Sequence, residues 1–210
     1  MTQPLLTRDD VAHPRGLVLF LHGGKEHSLD PVTDRSNQWR RSRAMQRAVG
    51  SRLRDAGVSS WLLRYRVTGW NAGERNFGAS VPDARWALDE VRREVGEVPV
   101  VLLGHSMGGR TAVHVADHPL VRGVVALAPW FTKSEPVELL AGRHLAAAHG
   151  RADRITSLRA TEHFVRRAAP VAASTELQDM GPIGHYMLRR IRAWNGFAAT
   201  RTLAIIDTQS

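Results

Sequence analysis

Short, wholly apolar runs alternate along the chain with longer stretches in which apolar positions recur every three or four residues. Runs of the first kind predict buried strands at 17–21, 58–65, 98–103 and 121–128, with weaker candidates at 144–148 and 171–177. The periodic stretches predict helices over 37–56, 81–95, from the turn at 104–109 to about 117, over 156–168 and over 186–199. This alternation predicts an α/β fold, a three-layer α/β/α sandwich with a mostly parallel sheet.

The length and the distribution of residues indicate a single domain. The chain has 210 residues and contains no internal repeat, low-complexity tract or linker. We therefore expect one domain over 1–210, with flexible tails at 1–14 and about 200–210. No apolar run approaches the roughly 18 residues of a membrane span, and the N-terminal segment lacks the apolar run of a secretory signal. The expectation is a cytoplasmic protein without a membrane span.

Composition changes this picture in two respects. With no cysteine, the chain can form neither a disulfide nor a thiolate metal site and has no cysteine nucleophile. Lysine and arginine number 29 against 20 acids, a net charge of +9, and such an excess can attract nucleic acid. The arginines are spread along the chain among acids, however, and no zinc-finger or RNA-binding signature accompanies them. An arginine-rich solvated surface is therefore favoured, with nucleic-acid binding as the alternative.

Residues 104–108, GHSMG, match the pattern G-x-S-x-G and carry the first candidate chemistry. The motif alone is weak evidence, but it stands where a predicted strand ends and a helix begins, which is the setting that a nucleophile elbow requires. Because strand and helix approach closely there, small residues are needed, as Gly104, Gly108 and Gly109 supply. Ser106 is the candidate nucleophile, and the alternative is a glycine-rich turn with an incidental serine.

A serine nucleophile needs a base and an acid that orients the base. In this type of fold the acid and then the histidine follow the serine along the chain, each after a strand. Asp153 follows the fifth predicted strand and His185 the sixth, so they are the candidate acid and base. Glu135, after the fourth strand, is the alternative acid. The other histidines lack the end-of-strand position of a base: His105, His114, His118 and His149. His105 lies within the elbow and is expected to point away from the chemistry, and His149 is expected to be a structural loop residue.

Backbone N–H groups are expected to bind the oxyanion. One comes from Met107, after the nucleophile, and the other from the loop after the first predicted strand, with Gly24 the first choice and Lys25 the next. That loop lacks the spacings of phosphate-binding motifs. Candidate walls of the substrate pocket follow strands at the edge where loops converge, with core or rim positions as the alternative: Lys25, Trp70, Trp130 and Phe131. The candidates to bind an anionic substrate are Lys25, His27 and Arg66.

Four segments carry a resemblance to a known family: LVLFLHGG, VVLLGHSMGG, AAAHGRADRITS and PIGHYM. Together they resemble the α/β-hydrolase family over roughly 15–190, in particular small lidless members similar to carboxylesterases and dienelactone hydrolases. The resemblance implies the α/β-hydrolase fold and its catalytic triad, but not a substrate. In two respects the chain departs from the pattern. Little sequence precedes residue 17, so the family's antiparallel first strands look shortened or missing, and the acid loop has Thr156-Ser157 where many relatives have a proline.

The resemblance also implies where a lid would be inserted, here between about 130 and 144. Only some 13 residues lie there, so we expect a minimal fold without a cap domain. The expected function is that of a serine hydrolase acting on a small-molecule carboxylic ester or related acyl compound, with no metal or organic cofactor. Strict dienelactone hydrolase activity, which implies a cysteine nucleophile, is not expected. The alternatives are a non-catalytic binding protein of the same fold and, less favoured, a basic nucleic-acid-binding module.

Overall fold

The computed structural model describes residues 3–72 and 78–208. In chain order, the described elements are β1 (Leu5–Asp9), β2 (Gly16–Leu21), α1 (Asn37–Asp55), β3 (Val58–Arg64), α2 (Ser80–Glu94), β4 (Val100–His105), α3 (Met107–His114), β5 (Val121–Leu127), a 3-10 turn (Glu138–Leu140), β6 (His144–His149), α4 (Leu158–Ala168), β7 (Ser174–Asp179) and α5 (Ile191–Asp207).

The strands form one seven-stranded sheet in the order β1-β3-β2-β4-β5-β6-β7. β1 pairs antiparallel with β3, and every other pairing is parallel. Every residue of β2 and β4 is buried, as expected of central strands covered on both faces. Helices α2, α3 and α4 pack on one face of the sheet, and α1 and α5 pack on the other. The predicted three-layer α/β fold is confirmed.

Both ends of the chain differ from the sequence-based expectation of flexible tails. Residues 5–9 form β1, and residues 200–207 complete α5, so that expectation is wrong for these segments. Ile205 and Ile206 are buried against the sheet, and Arg15 pairs with Asp207 at 2.5 Å. Of the other residues in the expected tails, 1–2 and 209–210 lie outside the described part. In the described chain, the family's antiparallel first strands are thus shortened to β1.

Three predicted boundaries also move. α4 begins at Leu158, because the preceding residues belong to the loop that holds Asp153. β7 spans 174–179 rather than 171–177; it is a polar edge strand whose sequence, STELQD, carries no apolar run. α5 spans 191–207 rather than 186–199.

Between β5 and β6, where a lid would be inserted, the chain contains only the 3-10 turn. The fold is therefore that of a minimal α/β hydrolase without a cap. Among the helices that the structure describes, none is long and apolar enough to cross a membrane.

Candidate active site

Ser106 occupies a sharp turn between β4 and α3. Its backbone has φ 56° and ψ −120°, a conformation that costs free energy for any residue with a side chain. The N–H of Ser106 donates to the carbonyl of Leu127 at the end of β5 (3.0 Å), which ties the turn to the sheet. A Cβ on Gly104 would overlap the backbone of Gly108, and a Cβ on Gly108 would overlap the carbonyl of Leu21. The glycines of the motif are thus required by close packing around the serine.

The structure brings Ser106, His185 and Asp153 together at the carboxyl edge of the sheet. The Oγ of Ser106 lies 3.0 Å from the Nε2 of His185, and the Nδ1 of His185 lies 2.8 Å from the Oδ2 of Asp153. In the tautomer that satisfies both contacts, Nδ1–H donates to Asp153 and Nε2 accepts the hydroxyl proton of Ser106. Ser106 and His185 are 7% and 5% exposed, so bulk water reaches neither contact freely.

The carboxylate of Asp153 accepts several hydrogen bonds besides the one from His185. The N–H groups of Ile155 and Thr156 donate to Oδ1 at 2.8 and 2.9 Å, and the hydroxyl of Thr156 donates to Oδ2 at 2.8 Å. Nε2 of His149 lies 3.3 Å from Oδ2. Burial by itself raises the pKa of Asp153, but the hydrogen bonds from both histidines and the two N–H groups outweigh it and hold the pKa well below its usual range.

Sequence reasoning missed two members of this group. His149 was expected to be a structural loop residue; it is the fully buried last residue of β6, and its Nδ1 lies 2.9 Å from the hydroxyl of Thr161. Thr156 was noted only as a departure from the family pattern. A signal was present, because His149 precedes Asp153 by four residues at the end of a strand.

The backbone N–H groups that are candidates to bind the oxyanion differ in whether they already donate a hydrogen bond within the protein. The N–H of Lys25 donates to the carbonyl of Thr68 at 2.8 Å, so the next-choice donor is already occupied. In the described part of the chain, the N–H groups of Gly24 and Met107 have no protein acceptor. These two residues are also in close contact, since a Cβ on Gly24 would overlap the side chain of Met107. Gly24 and Met107 are thus the pair whose N–H groups a substrate oxygen could occupy.

A cavity of about 360 Å³ adjoins Ser106. Its lining residues are Gly23, Gly24, Lys25, Asn37, Gln38, Arg41, His105, Ser106, His185 and Tyr186. Lys25 lines it as expected, but Trp70 and Trp130 do not, so that expectation is corrected. Their rings lie against the guanidinium of Arg110, 4.2 and 4.6 Å from its central carbon. The two rings thus make a cation–π contact with Arg110 and are not part of the cavity beside Ser106. Phe131 is likewise buried, against Phe164.

Glu135, the alternative acid, belongs to a separate buried cluster. Its oxygens lie 2.6 Å from Nε of Arg110, 2.7 Å from Nε2 of His114 and 2.7 Å from the hydroxyl of Thr132. Burial raises the pKa of Glu135, but the hydrogen bond from His114 and the charge of Arg110 outweigh it and leave the pKa below its usual value. The cluster lines another cavity, of about 540 Å³, which none of the three triad candidates lines. Glu135 is therefore not placed to orient His185.

His105, within the elbow, directs its Nε2 atom at the backbone rather than at Ser106. Its Nε2–H donates to the carbonyl of His185 at 3.0 Å, and the two imidazole centroids are 4.9 Å apart. Burial, with a smaller contribution from His185, lowers the pKa of His105 to about 3. The neutral ring thus supports the backbone of His185 through this hydrogen bond.

Within the described ranges, no group of three or more histidines and acids could hold a metal ion.

Comparison with solved structures shows that this fold occurs in other proteins. Est1E from Butyrivibrio proteoclasticus with ferulic acid bound is 13% identical, with a TM-score of 0.69, and the match covers 98% of this chain and 96% of that one. An α/β serine hydrolase without a lid from Xanthomonas campestris is 19% identical, with a TM-score of 0.66 and coverages of 96% and 88%. The monoacylglycerol lipase of Paleococcus ferrophilus is 15% identical, with a TM-score of 0.68 and coverages of 97% and 100%. At these identities the similarity shows the fold alone.

None of the curated proteins compared with this sequence matches it. A family model does match: that of the serine aminopeptidase, S33 family, over residues 40–148, just over half of the chain. The matched segment includes the elbow and its serine. The chain therefore belongs to the serine aminopeptidase, S33 family of α/β hydrolases.

Proposed function

We propose that the protein hydrolyses a carboxylic ester or a related small acyl compound through an acyl-enzyme intermediate on Ser106. The observation that carries this proposal is the hydrogen-bonded series from Ser106 through His185 to Asp153, with contacts of 3.0 and 2.8 Å. Membership of a serine hydrolase family supports it, as does the monoacylglycerol lipase among the structures of similar fold. We also propose that the chain acts as one domain, because all its candidate catalytic groups extend from one sheet.

In the proposed mechanism, Oγ of Ser106 attacks the substrate carbonyl while Nε2 of His185 takes the hydroxyl proton. Asp153 keeps the imidazole in the required tautomer and stabilises its protonated form. The negative charge that develops on the carbonyl oxygen is held by the N–H groups of Met107 and Gly24, and two such donors are worth a few kcal/mol in the transition state.

The tetrahedral intermediate then collapses, and His185 returns its proton to the leaving group. Water, deprotonated by the same imidazole, then attacks the acyl carbon. The bond between that carbon and Oγ of Ser106 breaks, His185 returns the proton to Oγ, and the acid is released. The strained backbone of Ser106 fits this role, because it projects Oγ from the end of β4 toward the histidine.

The proposal is tested with chromogenic acyl esters, amides and lactones and with a fluorophosphonate probe. We expect the probe to label Ser106 alone, and Ser106→Ala or His185→Ala to lower kcat by roughly 10³-fold or more, because the two side chains act as a unit. The matched control is Ser134→Ala, which removes a serine that lines the separate cavity around Glu135. Labelling that survives Ser106→Ala, or equal losses in the two serine variants, would refute the proposal.

A further inference from the structure

The cavity beside Ser106 contains an arginine that has no acidic partner in the described part of the chain. Arg41, on α1, lines the cavity together with Ser106 and His185 and is half-buried. Its guanidinium carbon lies 4.7 Å from the ring centroid of Tyr186, the residue after His185. One side of the guanidinium therefore contacts an aromatic ring, while no carboxylate among residues 3–72 and 78–208 bonds its N–H groups.

Other arginines close to the site are paired. Arg66 contacts Asp83 at 2.6 Å, and Arg110 contacts Glu135 at 2.6 Å; both acids are almost completely buried. Partial burial of a charge without a counter-ion is unfavourable, and burial indeed lowers the pKa of Arg41. An anion that enters the cavity and accepts hydrogen bonds from the N–H groups therefore stabilises a cation in this position.

The charges around the cavity favour an anion as well. The ten residues that line it in the described ranges include two cations, Arg41 and Lys25, and no acid. Lys25 is mostly exposed and lies 3.5 Å from a carboxylate oxygen of Asp30, which offsets part of its charge. Among the described residues, the positive charge in the cavity that has no acidic partner is therefore that of Arg41.

We propose that Arg41 determines specificity by binding an anionic group, a carboxylate or a phosphate, on the substrate whose acyl carbon lies at Ser106. The inference rests on the proposed function and narrows its substrate class to anionic acyl compounds. A guanidinium presents N–H groups in a planar fork that matches two oxygens of either anion. Tyr186 holds the fork in position through its ring, so less freedom is lost when the anion binds.

The test compares matched esters that differ in charge. One pair carries the charge on the acyl side (the 4-nitrophenyl half-ester of adipate and its neutral adipamate), and the other carries it on the leaving group (4-acetoxybenzoate and 4-acetoxybenzamide). We expect the wild type to favour the anionic member of at least one pair about tenfold in kcat/KM. Arg41→Gln should reduce that ratio about tenfold, mainly through KM, and Arg41→Lys should restore part of it.

Arg40→Gln is the matched control, because it removes the same charge from the neighbouring, exposed position of α1. We expect it to change the ratio less than twofold. An equal reduction in the two arginine variants would show a general effect of net charge and overturn the inference. Ser106-dependent hydrolysis without any preference for an anionic ester would also overturn it, while leaving the proposed function in place.

Binding without turnover separates the inference from the proposed function. In the Ser106→Ala variant, adipate and inorganic phosphate are titrated separately by calorimetry. Adding Arg41→Gln should weaken the binding of the preferred anion about tenfold, and the comparison of the two anions distinguishes carboxylate from phosphate. Equal binding with and without Arg41, or no binding of either anion, would refute the anion site, whatever the esters show.

Discussion

Two buried histidines beside the active site should make stability depend on pH. Nδ1–H of His22 donates to the carbonyl of Gly23 (2.6 Å), and its Nε2 accepts from the N–H of Tyr65 (3.3 Å). His105 donates to the carbonyl of His185. Burial lowers the pKa of His22 to about 4 and that of His105 to about 3. Between pH 7 and 5, both therefore stay neutral in the native protein but become protonated in the unfolded chain.

The sign and size of the effect follow from this difference. Because the unfolded chain binds more protons, the free energy of unfolding falls as the pH falls. For a side chain with an unfolded pKa near 6.5, acidification from pH 7 to pH 5 costs about 2 kcal/mol per histidine, or about 4 kcal/mol for the pair. Burial raises the pKa of Asp83, so at this side chain the native state binds more protons than the unfolded chain, and acidification offsets part of the loss. The lowered pKa of Asp153 adds to the loss only at more acidic pH.

Urea unfolding followed by tryptophan fluorescence at pH 7, 6 and 5 measures this loss. His105→Gln keeps a donor for the carbonyl of His185 but cannot titrate, so it should remove about half of the pH-dependent loss. His22→Gln should act similarly. The control is His27→Gln, since the side chain of His27 is 80% exposed. A free energy of unfolding that is constant between pH 7 and 5, or a loss unchanged in both buried-histidine variants, would refute the reasoning.

Two further predictions concern catalysis. Asp153→Asn should lower kcat by about 10³-fold or more, though no more than Ser106→Ala does. Glu135→Gln should lower kcat less than about tenfold. The reverse ranking would show that the acid has been misassigned. With esters of increasing acyl length, kcat/KM should favour short chains and show no jump at the micelle threshold, because only a 3-10 turn lies between β5 and β6 and each unburied CH₂ forgoes about 0.8 kcal/mol. A long-chain preference or a jump in rate would contradict this.

The elements that the sequence predicted well are those whose burial is complete. β2 and β4 are buried at every position, so each appears as an uninterrupted apolar run. β1 is half-exposed and is held by its pairing with β3, a contact that its own five residues, LLTRD, do not reveal. The last two turns of α5 were missed for a related reason: Ile205 and Ile206 are buried, but the helix as a whole has no clean apolar stripe.

The candidate triad was predictable because its members depend on topology more than on side-chain packing. Ser106, Asp153 and His185 follow β4, β6 and β7, and parallel strands bring their carboxyl ends to one edge. The pocket walls depend on side-chain direction instead. Trp70 and Trp130 also follow strands, but Arg110 holds their rings elsewhere, and no sequence pattern indicates that contact.

The loop of the candidate acid, Asp153, departs from the pattern of the family that the sequence resembles. Many relatives have a proline where this chain has Thr156-Ser157. Thr156 uses both its N–H and its hydroxyl to bind the carboxylate of Asp153, and Ser157 caps α4 by accepting the N–H of Ala160 at 3.2 Å. A proline in this pair would remove either the Thr156 contacts or the cap, since it has neither an N–H nor a hydroxyl. Thr156 therefore supplies hydrogen bonds that favour the ionised carboxylate, the form that must accept the Nδ1–H of His185 in the proposed mechanism.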